Sequence, residues 1–337
     1  MIVANLYYIN STNGLFYYGV DYLKEKKDLI RKVLVKPGLS SAVSHALRDQ
    51  KILPCTPGRM IYEVIKSGTR GDVVYTPTPH PLPYVSNQWI VVHDSYPFTI
   101  GYKGRIKRWM LQWSLSTSRC RVAYINESEA LPFVAALGIG ADRRLLAPNK
   151  FPSASGPFPR VVRSPGERLI VGLVGTDSPK KNYERLFAEI MLTGLENLFC
   201  FCVYGHNSLY LAQVCSGYPH INMQLIESDN NSLTDFFSQI HLLVSVADQE
   251  GFGRPIAGAL LTGLPCLLLA RPVFKEFFEP GALFFENEEK MVQTLITYAK
   301  DHISPPSLSY SPPARAIRAY AKAVTELEAL GAANLQG

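Results

Sequence analysis

No stretch of the 337 residues stays apolar for the roughly 18–20 residues that a membrane-spanning helix needs, which argues against an integral helical membrane protein. Met1 runs straight into Ile2-Val3-Ala4-Asn5-Leu6-Tyr7-Tyr8-Ile9, with neither a basic segment nor a cleavage site, so no secretory leader is expected. The six cysteines are scattered. None forms a Cys-x-x-Cys or a Cys/His cluster at zinc spacing, so neither a metal site nor a disulfide framework is expected, and a cytoplasmic, reducing setting is. No Gly-x-Gly-x-x-Gly follows a strand with an acid about 20 residues on, which counts against a nicotinamide dehydrogenase. No two carboxylates are spaced for glycoside hydrolysis.

Acid is scarce in the first half. Residues 1–155 carry 20 Lys/Arg against 10 Asp/Glu, and residues 156–337 carry 14 against 18. A basic half beside an acidic one suggests that the first meets a polyanion or an anionic surface. What the chain does have is core: 47% of it is apolar and only 18% charged. Its length allows two ordinary domains.

Apolar runs alternate with helical patterns in both halves, the sign of two doubly wound parallel sheets. In the first half, strands are expected at Ile2–Ile9, Leu29–Val35, Asp72–Tyr75, Gln88–Asp94 and Arg121–Ile125. Helices are expected at Leu15–Lys27, Ser41–Asp49, Met60–Lys66 and across Gly101–Arg121. Thr76–Pro83 has four prolines in eight residues and must be an extended loop. Asn126, with Glu129 three residues on, reads as a capped helix start. Residues 151–166 are rich in Pro, Ser and Gly and read as an interdomain linker.

The second domain, 167–303, opens on Leu169–Gly175 as a nearly uninterrupted apolar strand of the kind parallel sheets bury. Its further strands are expected at Phe199–Val203, Asn222–Ile226 and His241–Val246. Its helices are expected at Tyr183–Met191, Leu233–Gln239 and Glu288–Lys300. An alanine-rich helix over 314–330 ends the pattern.

The most informative stretch is 243–269, LVSVADQEGFGRPIAGALLTGLPCLLL. A buried strand leads into the polar turn Ala247–Gly253. Pro255 then suits the first turn of a helix, Gly263 stops that helix, and Pro265–Leu269 is the next strand. Gly251 and Gly253 let backbone amides approach a ligand, and the helix start favours an anion. Glu250 repels a phosphate but welcomes sugar hydroxyls. A ligand with a negative part and a polyol part fits, such as a nucleotide-sugar.

Glu250-Gly251-Phe252-Gly253-Arg254-Pro255, followed by Gly263-Leu264-Pro265, resembles the signature of retaining GT-B glycosyltransferases of the family 4 type. The likeness is good over about 165–300 and topological over 1–150. It implies a GT-B fold, two Rossmann-like domains facing a central cleft, with the 314–330 helix packed back on the first. It implies retention without a metal ion or cofactor, the nucleotide-sugar being a substrate. Glu250 would meet hydroxyls of the transferred sugar, and Gly251, Phe252 and Gly253 would serve sugar and diphosphate through their backbone. Lys181, with Lys180 as substitute, would clamp the diphosphate beside Gly175, with Arg254 helping. Asn13-Gly14 matches a first-loop glycine turn, Gly205-His206 a turn beside the nucleotide, and His93-Asp94 a strand-end pair facing sugar and acceptor. The family's second Glu is replaced by Gly258, and its diphosphate Arg by Thr176.

Gly101–Arg121 holds six Lys/Arg and no acid. Trp109 and Trp113 share a helix face, flanked by Lys107 and Arg108. That helix reads either as a contact for an anionic membrane surface or as a sheet-packing helix with a solvated basic side, and the lack of any nucleic-acid module argues against nucleic acid. The expectation is therefore a glycosyltransferase, cytoplasmic or peripheral at the inner membrane face. Its acceptor would be a glycan or a lipid-linked acceptor, as in bacterial cell-surface polysaccharide or lipopolysaccharide synthesis. A non-catalytic GT-B protein that binds a partner or glycan is the main alternative.

Overall fold

The structure, a computed structural model, describes residues 1–99, 101–153 and 161–332. Part of the expected 151–166 linker therefore lies outside the described residues. The chain divides into two compact units: Met1–Lys150 together with the segment from Ala314 onward, and Phe151–Pro313.

Unit 1 runs β1 (Ile2–Asn5), α1 (Gly14–Glu25), β2 (Ile30–Val35), α2 (Ser40–Ala46), β3 (Ile52–Pro54), α3 (Pro57–Thr69), β4 (Val73–Thr76), β5 (Gln88–Val92), α4 (Tyr96–Thr99), α5 (Gly101–Thr117), β6 (Arg121–Tyr124), α6 (Ala130–Ala136) and β7 (Arg144–Leu146). The seven strands pair in the order β3-β2-β1-β4-β5-β6-β7, and every pairing is parallel.

Three differences from the sequence reading have physical causes. Strand β1 stops at Asn5, not Ile9: Leu6 still bonds Leu34, but the Ile9 amide turns back to the Leu6 carbonyl. Apolar residues there are buried in a turn, which periodicity cannot distinguish from a strand. Helix α3 starts at Pro57, three residues earlier than expected, because Thr56 caps it by accepting from the Arg59 amide. Strand β3, only three residues at the sheet edge, had no apolar run to announce it.

Unit 2 runs β8 (Leu169–Val174), α7 (Tyr183–Thr193), β9 (Phe199–Gly205), α8 (Leu209–Gly217), β10 (Met223–Glu227), α9 (Leu233–Ser238), β11 (Leu242–Ser245), α10 (Arg254–Leu261), β12 (Cys266–Leu269), α11 (Pro272–Phe278), β13 (Leu283–Phe285) and α12 (Glu288–Lys300). Its six strands pair in parallel in the order β10-β9-β8-β11-β12-β13. On one face of this sheet the core runs from Val171, Leu173, Phe201, Val244 and Leu267 in the strands to Leu186, Phe187 and Leu295 in the helices. Order reverses between β8 and β11. In an open parallel sheet that reversal leaves a crevice at the carboxyl ends of the two strands, where ligands bind.

The last helix, α13 (Ala314–Ala332), belongs to unit 1. The Met1 ammonium donates to the Gly331 carbonyl at 2.6 Å, and Leu327 and Ala323 are fully buried. Ion pairs from Lys26 to Glu328 and from Arg121 to Glu326 fix its polar side.

Candidate functional site

The carboxyl ends of β8 and β11, the two strands at the order reversal of unit 2, each open into a loop, and the two loops are laced together. The Asp248 amide donates to the Lys180 carbonyl at 3.1 Å. The Asn182 side-chain amide donates to the Val246 carbonyl at 3.4 Å. The Asp248 carboxylate is held by Arg271, just beyond β12, and pairs with Arg185 of α7 at 3.5 Å. Backbone and charge thus hold the β8 and β11 loops in one register.

That register brings Lys181 and Glu250 together although 69 residues separate them: Lys181 Nζ lies 3.0 Å from Glu250 Oε2. Both are mostly shielded, with side chains 18% and 20% exposed. Burial pushes the Glu250 carboxyl up. The charges of Lys181 and Lys180 and the Lys181 hydrogen bond outweigh it, so the carboxyl titrates below its ordinary range and is ionised at neutral pH.

Two glycines make the geometry available. Gly175 has φ +97°, and a Cβ there would lie 2.6 Å from Lys181 Cε, so Lys181 crosses directly over a bare backbone. Its carbonyl accepts from the Tyr183 hydroxyl at 2.6 Å, which ties the loop to the start of α7. Gly253 has φ +84° and precedes α10 with no side-chain cap, leaving the positive end of that helix facing the Glu250 loop. Pro255 follows inside the first turn, as expected, although the helix begins one residue earlier, at Arg254.

Val174, Lys181, Tyr183, Leu243–Ser245, Glu250, Gly253, Pro255 and Ile256 line a cavity of about 40 Å³. That is room for water rather than a sugar.

Phe252 is buried, its ring packed edge-on against Phe151 and Phe277 at centroid distances of 5.0 and 4.8 Å. The side chain anchors the loop, which leaves only its backbone for a ligand. Thr176 is also buried. Its hydroxyl accepts from the His206 amide at 3.1 Å, its carbonyl accepts from Ser208, and its side chain fills the space above Gly205. It therefore joins the ends of β8 and β9. His206 is exposed, with Ser228 at 3.2 Å and Asp229 at 3.5 Å. Gly258, in α10, has the Phe237 ring 3.3 Å from where a Cβ would stand.

In unit 1, Asn13 caps α1 by accepting from the Leu15 and Phe16 amides, and Gly14 opens the helix with no neighbour near its Cα that would exclude a side chain. His93 follows β5, donates from Nε2 to the Pro77 carbonyl at 3.0 Å and meets Tyr18 edge-on. Strand β5 ends at Val92, so His93 and Asp94 belong to the loop beyond it. Asp94 accepts from the Tyr96 amide at 3.1 Å, at the start of α4. Helix α5 carries Lys107, Arg108, Trp109 and Trp113, with both tryptophans exposed.

Sequence reasoning missed Asp248, Asn182, Tyr183, Arg185 and Arg271. Asp248 stands two residues before Glu250, but nothing in its neighbourhood signals that its partners sit on α7 and beyond β12. Among the described residues no group of three or more His, Cys, Asp or Glu is placed to hold a metal ion.

Two α/β units, each on an all-parallel sheet, with the switch point of the second carrying the laced loops, make this the GT-B fold. Solved structures share it over whole chains. One is Alr3699/HepE of Anabaena in complex with UDP and glucose, at a TM-score of 0.69 and 15% identity, covering 100% of this chain and 99% of that one. Another is WaaG, a glycosyltransferase involved in lipopolysaccharide biosynthesis, at 0.61 and 13%, covering 98% and 97%. A third is sucrose-phosphate synthase of Thermosynechococcus elongatus, at 0.64 and 12%, covering 99% and 97%. No protein-family model and no curated protein matches the sequence.

Proposed function

We propose that the protein is a glycosyltransferase that takes a sugar from a nucleotide-sugar held by unit 2. The observation that carries the reading is the Lys181–Glu250 pair at the switch point of the second sheet, beside the N-terminus of α10. A diphosphate there competes with Glu250 for the Lys181 ammonium. As the diphosphate takes the cation, the Glu250 carboxylate turns to the hydroxyls of the sugar. Departure of the nucleoside diphosphate needs positive charge where its oxygens gather, and Lys181, Lys180, Arg254 and the first turn of α10 supply it.

Retention at the anomeric carbon and a reaction without a metal ion accompany this reading, as the resemblance in the 250–265 segment implies. The acceptor falls to unit 1, with His93 as its orienting group. One neighbour's complex with UDP and glucose supports the nucleotide-sugar donor, and another's involvement in lipopolysaccharide biosynthesis supports a glycan or lipid-linked acceptor. Such an acceptor suits a protein working at the cytoplasmic face of a membrane.

A second reading, a GT-B protein that binds without catalysing, is favoured by Thr176 and Gly258. Thr176 is buried and engaged where the family has an Arg, and Phe237 stands over the position of the second Glu. A thermal-shift panel of nucleotides and nucleotide-sugars separates the two. A ligand at 100 times its dissociation constant stabilises by about 2.7 kcal/mol. A response to one nucleoside diphosphate and its sugar supports the enzyme; silence across the panel supports the binding protein.

A further inference from the structure

Of the sixteen large hydrophobic side chains exposed among the described residues, nine come from α3, α5 and the loop between β4 and β5. Right-handed crossovers explain why these elements share a side. The β3-to-β4 and β5-to-β6 connections run in the same direction along the sheet, so α3 and α5 cover one face, while α1 and α2, running the other way, cover the opposite one. The β4–β5 loop lies between α3 and α5. Val85 packs on Gly68 of α3, and Tyr84 meets Trp113 of α5 edge-on at 6.0 Å.

Helix α5 buries Gly104, Leu111, Ser114 and Leu115. On its opposite side Tyr102, Ile106, Trp109 and Trp113 recur at spacings of four, three and four, a single stripe along the helix. Tyr102 is 78% exposed and Trp109 66%. Helix α3 adds Ile61, Tyr62 and Ile65, and the loop adds Tyr84, 75% exposed. Lys103 and Lys107 flank the stripe on one side and Arg105 on the other. Lys66 lies over the Tyr62 ring at 5.3 Å. Helix α5 carries no acid, and the one acid of α3, Glu63, is turned to Lys32 and largely shielded.

We infer that this three-part face, α3, Tyr84 and α5, docks the protein on an anionic lipid bilayer. The inference extends the membrane contact expected of α5 alone and does not depend on the glycosyltransferase reading. Aromatic rings at such a boundary sit among the headgroups, apolar side chains enter the acyl region, and lysines and arginines meet anionic lipid. A protein partner would bury the apolar stripe but gives no reason for unpaired cations on both its flanks. A nucleic-acid partner would use the cations but has no use for Ile61, Ile65, Ile106 and Met110 standing in water.

The test is co-sedimentation with vesicles of phosphatidylcholine, alone or mixed with phosphatidylglycerol, with tryptophan emission recorded in parallel. The chain has three tryptophans, and Trp89 is 1% exposed, so a change in emission reports Trp109 and Trp113. Binding to the anionic vesicles, weakened by salt and accompanied by a blue shift, is expected. The variant Lys103→Gln/Arg105→Gln/Lys107→Gln should lose about a hundredfold in partitioning, at about fivefold for each charge. The variant Tyr84→Ser/Trp109→Ser/Trp113→Ser should also lose binding, and Ile61→Ser/Ile65→Ser should weaken it while keeping the tryptophan signal. Melting curves matching the parent would show that each variant is folded. No partitioning by the parent, partitioning unchanged in all three variants, or an RNA oligonucleotide that displaces the vesicles would overturn the inference.

Discussion

Gly175→Ala should disable the site while leaving its charged residues in place. Two costs follow from one methyl group. At φ +97° an L side chain is strained, which costs about 1–3 kcal/mol of unit 2 stability. The methyl also lies 2.6 Å from Lys181 Cε and 3.2 Å from Nζ, so Lys181 must move and its 3.0 Å contact with Glu250 opens. If the ammonium no longer reaches the diphosphate, a charge-assisted contact worth about 1.5–3 kcal/mol is lost, roughly ten- to a hundredfold in affinity. The assay is titration calorimetry with the nucleotide that the thermal-shift panel selects, on the parent, Gly175→Ala, Lys181→Ala and the double variant. Because the methyl acts on binding through Lys181, the double variant should bind no more weakly than Lys181→Ala alone. Additive losses in the double variant, or full affinity in Gly175→Ala, would refute the reasoning.

Other substitutions probe the surroundings of the pair. Asp248→Asn weakens the ties to Arg271 and Arg185, so amide exchange in residues 176–182 and 246–253 should accelerate together while the β9 and β12 strands stay protected; acceleration of one loop alone would contradict the lacing. Gly258→Glu, which puts there the Glu of the family that the segment resembles, should lower unit 2 stability by about 1–3 kcal/mol because its Cβ stands 3.3 Å from Phe237, and that cost should shrink when measured in a Phe237→Leu background, as read from urea midpoints. Glu250 titrates below its ordinary value in the folded protein, so the stability it contributes is present above the unfolded carboxyl range and is lost as pH falls through the lowered folded pKa. Urea denaturation should therefore show the gap between parent and Lys181→Ala widest near neutral pH and narrowing in acid; a gap independent of pH would tell against the ion pair.

The parallel strands were legible because they are buried on both faces and read as apolar runs, as in Leu169–Val174 and Cys266–Leu269. Helix α8 was not, since LYLAQVCSG is apolar nearly all round and has no stripe to reveal its period. Glu250 and the glycines beside it could be named from their order in the chain, because a turn and a helix start are local. The contact between Lys181 and Glu250 depends on β11 lying next to β8, which no local pattern encodes. Thr176 shows the opposite limit. Its position suggested a ligand contact, whereas burial and its bond to His206 give it work within the fold.

A crystal structure of the protein soaked with the nucleotide-sugar chosen by the panel tests the central claim most directly. The account predicts diphosphate oxygens within hydrogen-bonding distance of Lys181 Nζ and a sugar hydroxyl on Glu250. A ligand bound elsewhere, with Lys181 still paired to Glu250, would contradict it.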